Sequence, residues 1–201
     1  SPTSFVVSGD VVSSGGETSG YLLTTTTYSH NSNSSPEIVY MGEGRYMVAW
    51  FAYRPGLSGG PMVFYNIYDP DLGGWTGPKK MWSSLPFAFT TTMLGLKLFS
   101  NGDGNVGVAV SYTSSFLTLP VTSTAIDFTV NTMFARYQVD NGWQDPVYVG
   151  NGCSVDSAIS VSRSFCSAPP RGAILPSGLS VFAFPDQDPS LNYRLSAVEF
   201  K

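Results

Sequence analysis

Hydrophobic and polar residues alternate along many short stretches of this chain, with a period of two residues. Val, Tyr, Phe and Thr are concentrated in these stretches, and Gly, Asn, Asp and Pro cluster between them. Such alternation is typical of β-strands, and no stretch of about twelve residues keeps the spacing of an amphipathic helix. The chain is therefore predicted to be all-β, with strands at Phe5–Val12, Tyr21–Tyr28, Glu37–Tyr40, Arg45–Tyr53, Met62–Tyr68, Leu94–Phe99, Val106–Thr113, Thr129–Val139, Pro146–Val149, Ala158–Ser162, Ser180–Phe184 and Tyr193–Phe200.

A repeated unit runs through the chain. A complete unit has an apolar strand, a second strand that ends in Asp, and a Gly-Trp-x-x-Pro segment. The first copy comprises Arg45–Phe51, Val63–Asp69 and Gly74–Pro78. The second copy comprises Asn105–Tyr112, Phe134–Asp140 and Gly142–Pro146. A third, partial copy comprises Gly178–Phe184 and Arg194–Phe200.

Copies of this unit are expected to stack, because one hairpin cannot cover its own apolar face. We expect Trp50, Val110 and Phe182 to lie on equivalent inner strands. The Trp of each Gly-Trp segment is expected to fill the gap between adjacent sheets. The following Pro is expected to start an outer strand, where a missing N–H is tolerated.

The repeated strands and Gly-Trp-x-x-Pro segments resemble β-propeller blades, in particular the loose repeats of microbial surface proteins related to sialidase-type propellers. Asp71–Trp75 resembles the Asp-box of such blades. The resemblance spans roughly residues 37 to 200. It implies a β-propeller-like stack of antiparallel hairpins, with a two-sheet β-sandwich as the alternative. We expect one domain over residues 1–201, in which residues 1–36 form a divergent N-terminal segment.

This N-terminal segment is a candidate assembly element. It is expected to supply a divergent fourth blade, to complete the last sheet of the same chain, or to pair with an open sheet edge of a neighbouring molecule, which is strand addition. The residues predicted to form this assembly strand are Phe5, Val6, Val7, Val11 and Val12.

Composition narrows the range of partners. Charged residues make up 12% of the chain, about half the usual share, and the net charge is −4 with ten Lys and Arg. Nucleic acid is excluded as an expected partner, because its phosphates require clustered basic residues. No apolar run approaches the roughly 20 residues of a membrane-spanning helix. The scarce Lys and abundant Ser, Thr and Tyr favour an extracellular or cell-surface location.

The two cysteines, Cys153 and Cys166, are thirteen positions apart. An even count in a chain of extracellular composition predicts a disulfide, worth about 3 kcal/mol in the chain-entropy model. Two independent buried thiols are the alternative. Together with His30 these cysteines do not make a metal-ligand set, so neither a metal nor a cofactor is expected.

Residue types that carry catalysis are scarce. His30, the only histidine, lies in a polar segment, and any Ser-His-Asp arrangement would have to use it. The six arginines are scattered rather than clustered as a sialidase-like site requires. Asn101–Asn105 has the alternating oxygen side chains of a calcium loop, but the same string favours a turn. The chain is therefore predicted not to be an enzyme.

Three tryptophans, Trp75, Trp82 and Trp143, are the candidate ligand-binding residues, because aromatic rings stack on sugars. Packing between sheets is the alternative role for them. The sequence favours a non-catalytic extracellular structural or adhesion protein that associates with itself or with other surface proteins. A glycan-binding module and a sialidase-like glycoside hydrolase are the alternatives.

Overall fold

The computed structural model describes residues 36–52, 62–82, 92–114, 128–155, 165–166, 168–188, 190 and 192–200. These residues form thirteen strands with antiparallel pairings, so the all-β prediction is confirmed. The strands are β1 Glu37–Gly42, β2 Arg45–Ala52, β3 Met62–Asp69, β4 Gly74–Trp75, β5 Lys79–Lys80, β6 Thr92–Ser100, β7 Val106–Ser114, β8 Phe128–Gln138, β9 Gly142–Trp143, β10 Val147–Val155, β11 Arg171–Ile174, β12 Ser180–Gln187 and β13 Tyr193–Phe200.

Three predicted strands lie outside the described residues: Phe5–Val12, Tyr21–Tyr28 and Ala158–Ser162. The predicted assembly strand and His30 therefore also lie outside the described residues. Conversely, β11 was not predicted from the sequence. Its Arg-Gly-Ala-Ile segment offers one large apolar side chain, and only pairing with β12 makes it a strand.

The strands form three sheets. Sheet 1 has the order β1-β2-β3-β4, and β5 also pairs with β3. Sheet 2 has the order β10-β8-β7-β6, and β9 pairs with β8. Sheet 3 has the order β11-β12-β13. Sheet 2 lies between the other two, because one core cluster joins it to sheet 1 and another joins it to sheet 3. The predicted stacking of antiparallel hairpins is confirmed.

The core between sheets 1 and 2 is built from alternate residues of the central strands. Met47, Ala49 and Phe51 of β2 share one buried cluster with Val108 and Val110 of β7. Their side chains are at most 2% exposed. Since full burial of a large apolar side chain is worth about 1.5–3 kcal/mol, this cluster fixes the pair of sheets.

The core between sheets 2 and 3 is aromatic. Phe134 of β8 stacks on Phe182 of β12 and on Phe200 of β13, with ring centroids 4.9 and 4.7 Å apart. Phe99 and Phe184 belong to the same cluster. Stacked rings contribute roughly 0.5–1.5 kcal/mol beyond their burial, which ties sheet 3 to sheet 2.

The internal repeat is visible in these sheets. Trp50, Val110 and Phe182 are all buried on the second strand of their sheet, as predicted. The strands β5 and β10 begin directly after Pro78 and Pro146, which confirms the predicted place of proline at the start of an outer strand.

One detail of the predicted repeat is wrong. The strand β3 ends at Asp69, but β8 ends at Gln138, and Asp140 lies in the following turn. Tyr68 pairs with Trp75 in sheet 1, and Tyr137 pairs with Trp143 in sheet 2. The segment from Tyr137 to Trp143 is one residue shorter than the segment from Tyr68 to Trp75. The two copies of the repeat therefore align by their Tyr-Trp pairs rather than by their aspartates.

The predicted disulfide between Cys153 and Cys166 is present. Both cysteines are fully buried in a small cluster with Val130, against which Leu94 and Phe165 pack. Disulfides persist in oxidising compartments, which supports an extracellular setting. Among the described residues no helix is long and apolar enough to cross a bilayer.

Candidate functional site

The turns between strands of all three sheets meet at one end of the stack, which we call the turn end. The N–H of Gly104, in the loop between β6 and β7, donates to the carbonyl oxygen of Met41 in β1 over 2.6 Å. Asn101, in the same loop, donates through Nδ2 to the carbonyl oxygen of Leu175 in the β11–β12 connection over 3.3 Å. These bonds join the turns of sheets 1, 2 and 3 into one surface.

Local sequence explains the tight turn of sheet 1. The residues between β1 and β2, Glu43 and Gly44, have φ values of 52° and 75°. A two-residue hairpin of type I′ requires positive φ at both positions. The turn pairs Gly42 with Arg45, and a β-bulge between Tyr40 and Gly42 then places Tyr40 directly opposite Tyr46 in the ladder.

A row of four aromatic side chains crosses sheet 1 beside this turn. Tyr40 pairs with Tyr46, Tyr46 with Tyr68, and Tyr68 with Trp75. Directly paired residues project from the same face of a sheet, so all four lie on one face. Met47 and Ala49 project toward sheet 2, and the row therefore lies on the opposite face. We call these four residues the aromatic row.

The aromatic row is open to solvent. Tyr40 is 48% exposed and Tyr46 is 41% exposed, and Tyr68 and Trp75 are half-buried. The Tyr40 and Tyr46 rings are 5.2 Å apart, and the Tyr68 and Trp75 rings are 5.7 Å apart. Since neighbouring strands are about 4.8 Å apart, the row extends over about 14 Å.

The same row exists in sheet 2, but there it is covered. Ser100 pairs with Val106, Val106 with Tyr137, and Tyr137 with Trp143. Tyr65 of sheet 1 lies over this row, 6.1 Å from the Tyr137 ring and 5.9 Å from the Trp143 ring. The positions of Tyr40 and Tyr46 are thus occupied by the small residues Ser100 and Val106 where another sheet packs on top.

A polar hollow lies next to the row at the turn end. Its volume is about 250 Å³. It is lined by Asp103, Gly104, Asn105, Gln138, Val139, Asp140 and Asn141. The loop that forms one wall also adjoins the row, because a Cβ on Gly102 would lie 3.9 Å from the Tyr40 ring.

Asp103 is held in place by its own loop. Its carboxylate accepts hydrogen bonds from Asn101 Nδ2 at 2.8 Å and from Asn105 Nδ2 at 2.9 Å. Slight desolvation raises the pKa of Asp103, but the hydrogen bonds from Asn105 and Asn101 lower it by more, so its pKa lies below the ordinary value. The carboxylate is therefore ionised at neutral pH and accepts hydrogen bonds. As predicted, this string forms the connection between β6 and β7.

The structure separates the three predicted tryptophans. Trp75 lies in the aromatic row on the outer face of sheet 1, so among the described sheets it does not fill a gap between two sheets as its place in the repeat predicts. Trp82 is 7% exposed, and its Nε1 donates to the carbonyl oxygen of Gln144 over 3.1 Å. Its ring lies 6.2 Å from that of Trp143, which packs between sheets 1 and 2 as its position in the repeat predicts. Trp82 and Trp143 therefore belong to the core between these sheets.

Sequence reasoning missed Tyr40, Tyr46 and Tyr68. The usable signal was the presence of a tyrosine on each side of the Gly-Glu-Gly segment, but their direct pairing also needs the bulge between Tyr40 and Gly42, which the sequence pattern does not show. Extending the row to Tyr68 and Trp75 requires the register of β3 with β2 and β4, which strand prediction does not supply.

The remaining charged groups are dispersed. Over the described ranges no three His, Cys, Asp or Glu side chains are grouped as metal ligands. The described arginines lie on four different strands: Arg45, Arg136, Arg171 and Arg194. Asp186, 1% exposed, is paired with Arg194 at 3.0 Å and also accepts a hydrogen bond from Ser196 at 2.8 Å.

No protein-family model and no curated protein matches this chain. Among solved structures, it is similar to the cryo-EM structure of Morganella morganii TcdA4, with 5% identity and a TM-score of 0.43 over 85% of this chain and 7% of that one. It is also similar to the crystal structure of polysaccharide lyase Uly1, with 12% identity and a TM-score of 0.44 over 94% of this chain and 44% of that one.

The chain spans less than half the length of either of these structures. The class of protein that fold and site themselves define is an all-β module of stacked antiparallel sheets with an exposed aromatic row at one end.

Proposed function

We propose that this chain is a non-catalytic extracellular adhesion module that binds polysaccharide through the aromatic row. The observation on which the proposal rests is a row of four aromatic side chains in register across four strands, of which Tyr40 and Tyr46 are exposed and the other two are half-buried. Exposed apolar surface in such a contiguous arrangement marks an interaction site more often than chance.

The chemistry of the row suits sugar rings. The face of a Tyr or Trp ring packs against the C–H face of a pyranose, and the Tyr hydroxyl and the Trp N–H provide polar groups at the edge. Asp103 and Asn105 in the neighbouring hollow offer acceptors and donors for sugar hydroxyls. A row of about 14 Å matches an extended oligosaccharide better than a single sugar.

The comparison with sheet 2 separates a binding role from simple packing. Where sheet 1 covers the equivalent row, Ser100 and Val106 leave room for the packing of Tyr65. In sheet 1 the two matching positions carry exposed tyrosines. Large exposed aromatics are not needed for the stack itself, which supports a ligand as the reason for them.

Two carboxylates, Asp103 and Asp186, support the non-catalytic part of the proposal. General acid catalysis at neutral pH needs a carboxyl with a raised pKa. The pKa of Asp103 is shifted downward by hydrogen bonds within its loop. Asp186 is enclosed by Arg194 and Ser196, away from solvent.

Binding to a panel of neutral and acidic polysaccharides, measured by affinity electrophoresis and then by calorimetry on oligosaccharides, tests the proposal. Tyr40→Ala and Tyr46→Ala are each expected to weaken binding by about tenfold, since about 1.4 kcal/mol corresponds to one stacked ring.

The matched control is Tyr148→Ala. Tyr148 is 55% exposed but lies on β10 of sheet 2, outside the row, and its variant is expected to bind as the wild type does. Absence of binding to every polysaccharide, or equal binding by the row variants and the wild type, would falsify the proposal.

A further inference from the structure

Sheet 3 exposes an apolar face on its outer side, which points away from sheet 2. Phe182 and Phe184 of β12 project toward sheet 2, so the alternate residues of sheet 3 project outward. On this outer face Leu195 is 70% exposed, Ala173 and Ala197 are exposed, and Val181 and Ala183 are half-buried. We call these five residues the sheet 3 face.

Equivalent faces elsewhere in the molecule are covered. Ala49, Ala109 and Ala183 occupy the same place in the three central strands, opposite Tyr65, Phe134 and Ala197 respectively. Ala49 and Ala109 are 0% exposed, because the next sheet packs on each of them. Within the described part of the chain no sheet packs on Ala183. The repeat therefore provides a sheet-binding surface here.

We propose that the sheet 3 face binds the same face of a second copy of this chain, which forms a two-fold symmetric dimer. This inference is independent of the polysaccharide site, which lies on sheet 1. Face-to-face packing of two sheets is a standard solution for covering apolar strands, and two-fold dimers are the commonest protein oligomers.

The charges at the edges of the face favour a second copy over an unrelated partner. Arg171 lies on β11, opposite Ala183, and Glu199 lies on β13, opposite Val181. Both are exposed, and among the described residues neither forms an ion pair. One edge of the face is thus positive and the other negative.

A two-fold axis along β12 makes these charges complementary. It places β11 of one copy over β13 of the other, so Arg171 of each copy lies above Ala197 of the other copy. Glu199 is the next residue of β13 on the same face, so it lies beside this arginine. Two ion pairs then flank an apolar centre formed by Val181, Ala183 and their symmetry mates. Because the face has only three strands, the dimer belongs to the small, weak class of interfaces and dissociates on dilution.

Sedimentation velocity over a concentration series tests the dimer with a charge exchange. Arg171→Glu gives a face with two negative edges, and Glu199→Arg gives one with two positive edges. Each variant alone is expected to dissociate at least about tenfold more readily than the wild type, because like charges then face each other. An equimolar mixture of the two variants is expected to restore the dimer as a heterodimer.

Asp71→Lys, in the exposed turn between β3 and β4, is the control for a charge change elsewhere. It should leave dimerisation unchanged. A wild type that stays monomeric at every concentration overturns the proposal. Two further results overturn it. If both single variants dimerise as strongly as the wild type, self-association uses another surface. If the mixture of the two variants does not associate, the proposed charge pairing is wrong.

Discussion

At the scale of single residues, the close approach of two turns depends on glycine. Gly42 has a φ of 100°, and a Cβ at this position would overlap the carbonyl oxygen of Gly102 in the neighbouring sheet's loop. Only glycine satisfies both the left-handed backbone and the contact. This contact holds the aromatic row beside the polar hollow.

Gly42→Ala is therefore expected to lower the free energy of unfolding by about 2–3 kcal/mol. One contribution is the positive φ, which alanine disfavours, and the other is the overlap of its Cβ with the carbonyl oxygen of Gly102. Gly73→Ala separates the two contributions. Gly73 has a φ of 73° but no atom within 4 Å of an added Cβ, so its variant should cost only about 1 kcal/mol. Denaturant unfolding measures both, and equal losses would show that the contact with Gly102 is unimportant.

Three buried or half-buried tyrosines make the stability of the fold sensitive to alkaline pH. Burial raises the pKa of Tyr112 and Tyr137, and burial together with the neighbouring Tyr137 raises the pKa of Tyr65. In the unfolded chain these phenols ionise near pH 10, while in the folded chain they keep their protons to higher pH. The unfolded state then binds fewer protons, so stability is intact below about pH 10 and falls above it.

Thermal melts from pH 7 to pH 11 should show this loss beginning near pH 10. The double variant Tyr65→Phe with Tyr137→Phe is expected to flatten the decline above pH 10, since two of the three shifted hydroxyls are gone. A decline as steep as that of the wild type would mean that other groups control the alkaline limit.

At the scale of elements, the disulfide joins β10 to the segment around Phe165 and Cys166. Its thirteen-residue separation closes a short loop. The double variant Cys153→Ala with Cys166→Ala is expected to lower the free energy of unfolding by about 2–3 kcal/mol. Reductant should destabilise the wild type to the same extent and leave the double variant unchanged. A wild type that is insensitive to reductant contradicts this expectation.

The strands themselves were largely predictable. The alternation of hydrophobic and polar residues located most described strands. One face of each such strand packs on a neighbouring sheet, so every second residue is apolar. The strand β11 and the two-residue strands β4 and β9 were not recognised as strands, since their pairing partners rather than their own side chains define them, and β5 was predicted only through the proline of the repeat.

At the scale of the whole molecule, the two proposed surfaces lie on opposite outer sheets. The aromatic row is on sheet 1 and the sheet 3 face is on sheet 3. A dimer through sheet 3 would therefore present two aromatic rows, and two linked sites bind a long polymer more tightly than one.

Arg171→Glu is accordingly expected to reduce apparent affinity for a long polysaccharide by about tenfold or more, while leaving calorimetric affinity for a short oligosaccharide unchanged. Equal losses for both ligands would instead indicate that the substitution disturbs the binding site itself.

The sequence by itself determined the β class, the stacked repeats and the disulfide, because strand periodicity, the Gly-Trp-x-x-Pro spacing and cysteine pairing are properties of neighbouring residues or of near copies. Only the tertiary structure decided which faces are covered. Trp75 and Trp143 have the same place in the repeat and both are half-buried, yet Trp143 packs in the core between sheets 1 and 2, whereas Trp75 packs on the outer face of sheet 1 against Trp50 and its neighbours. The physical reason is that the surroundings of a side chain depend on which sheet stacks on its face. The hydrophobic pattern of its own strand does not determine the order in which the sheets stack.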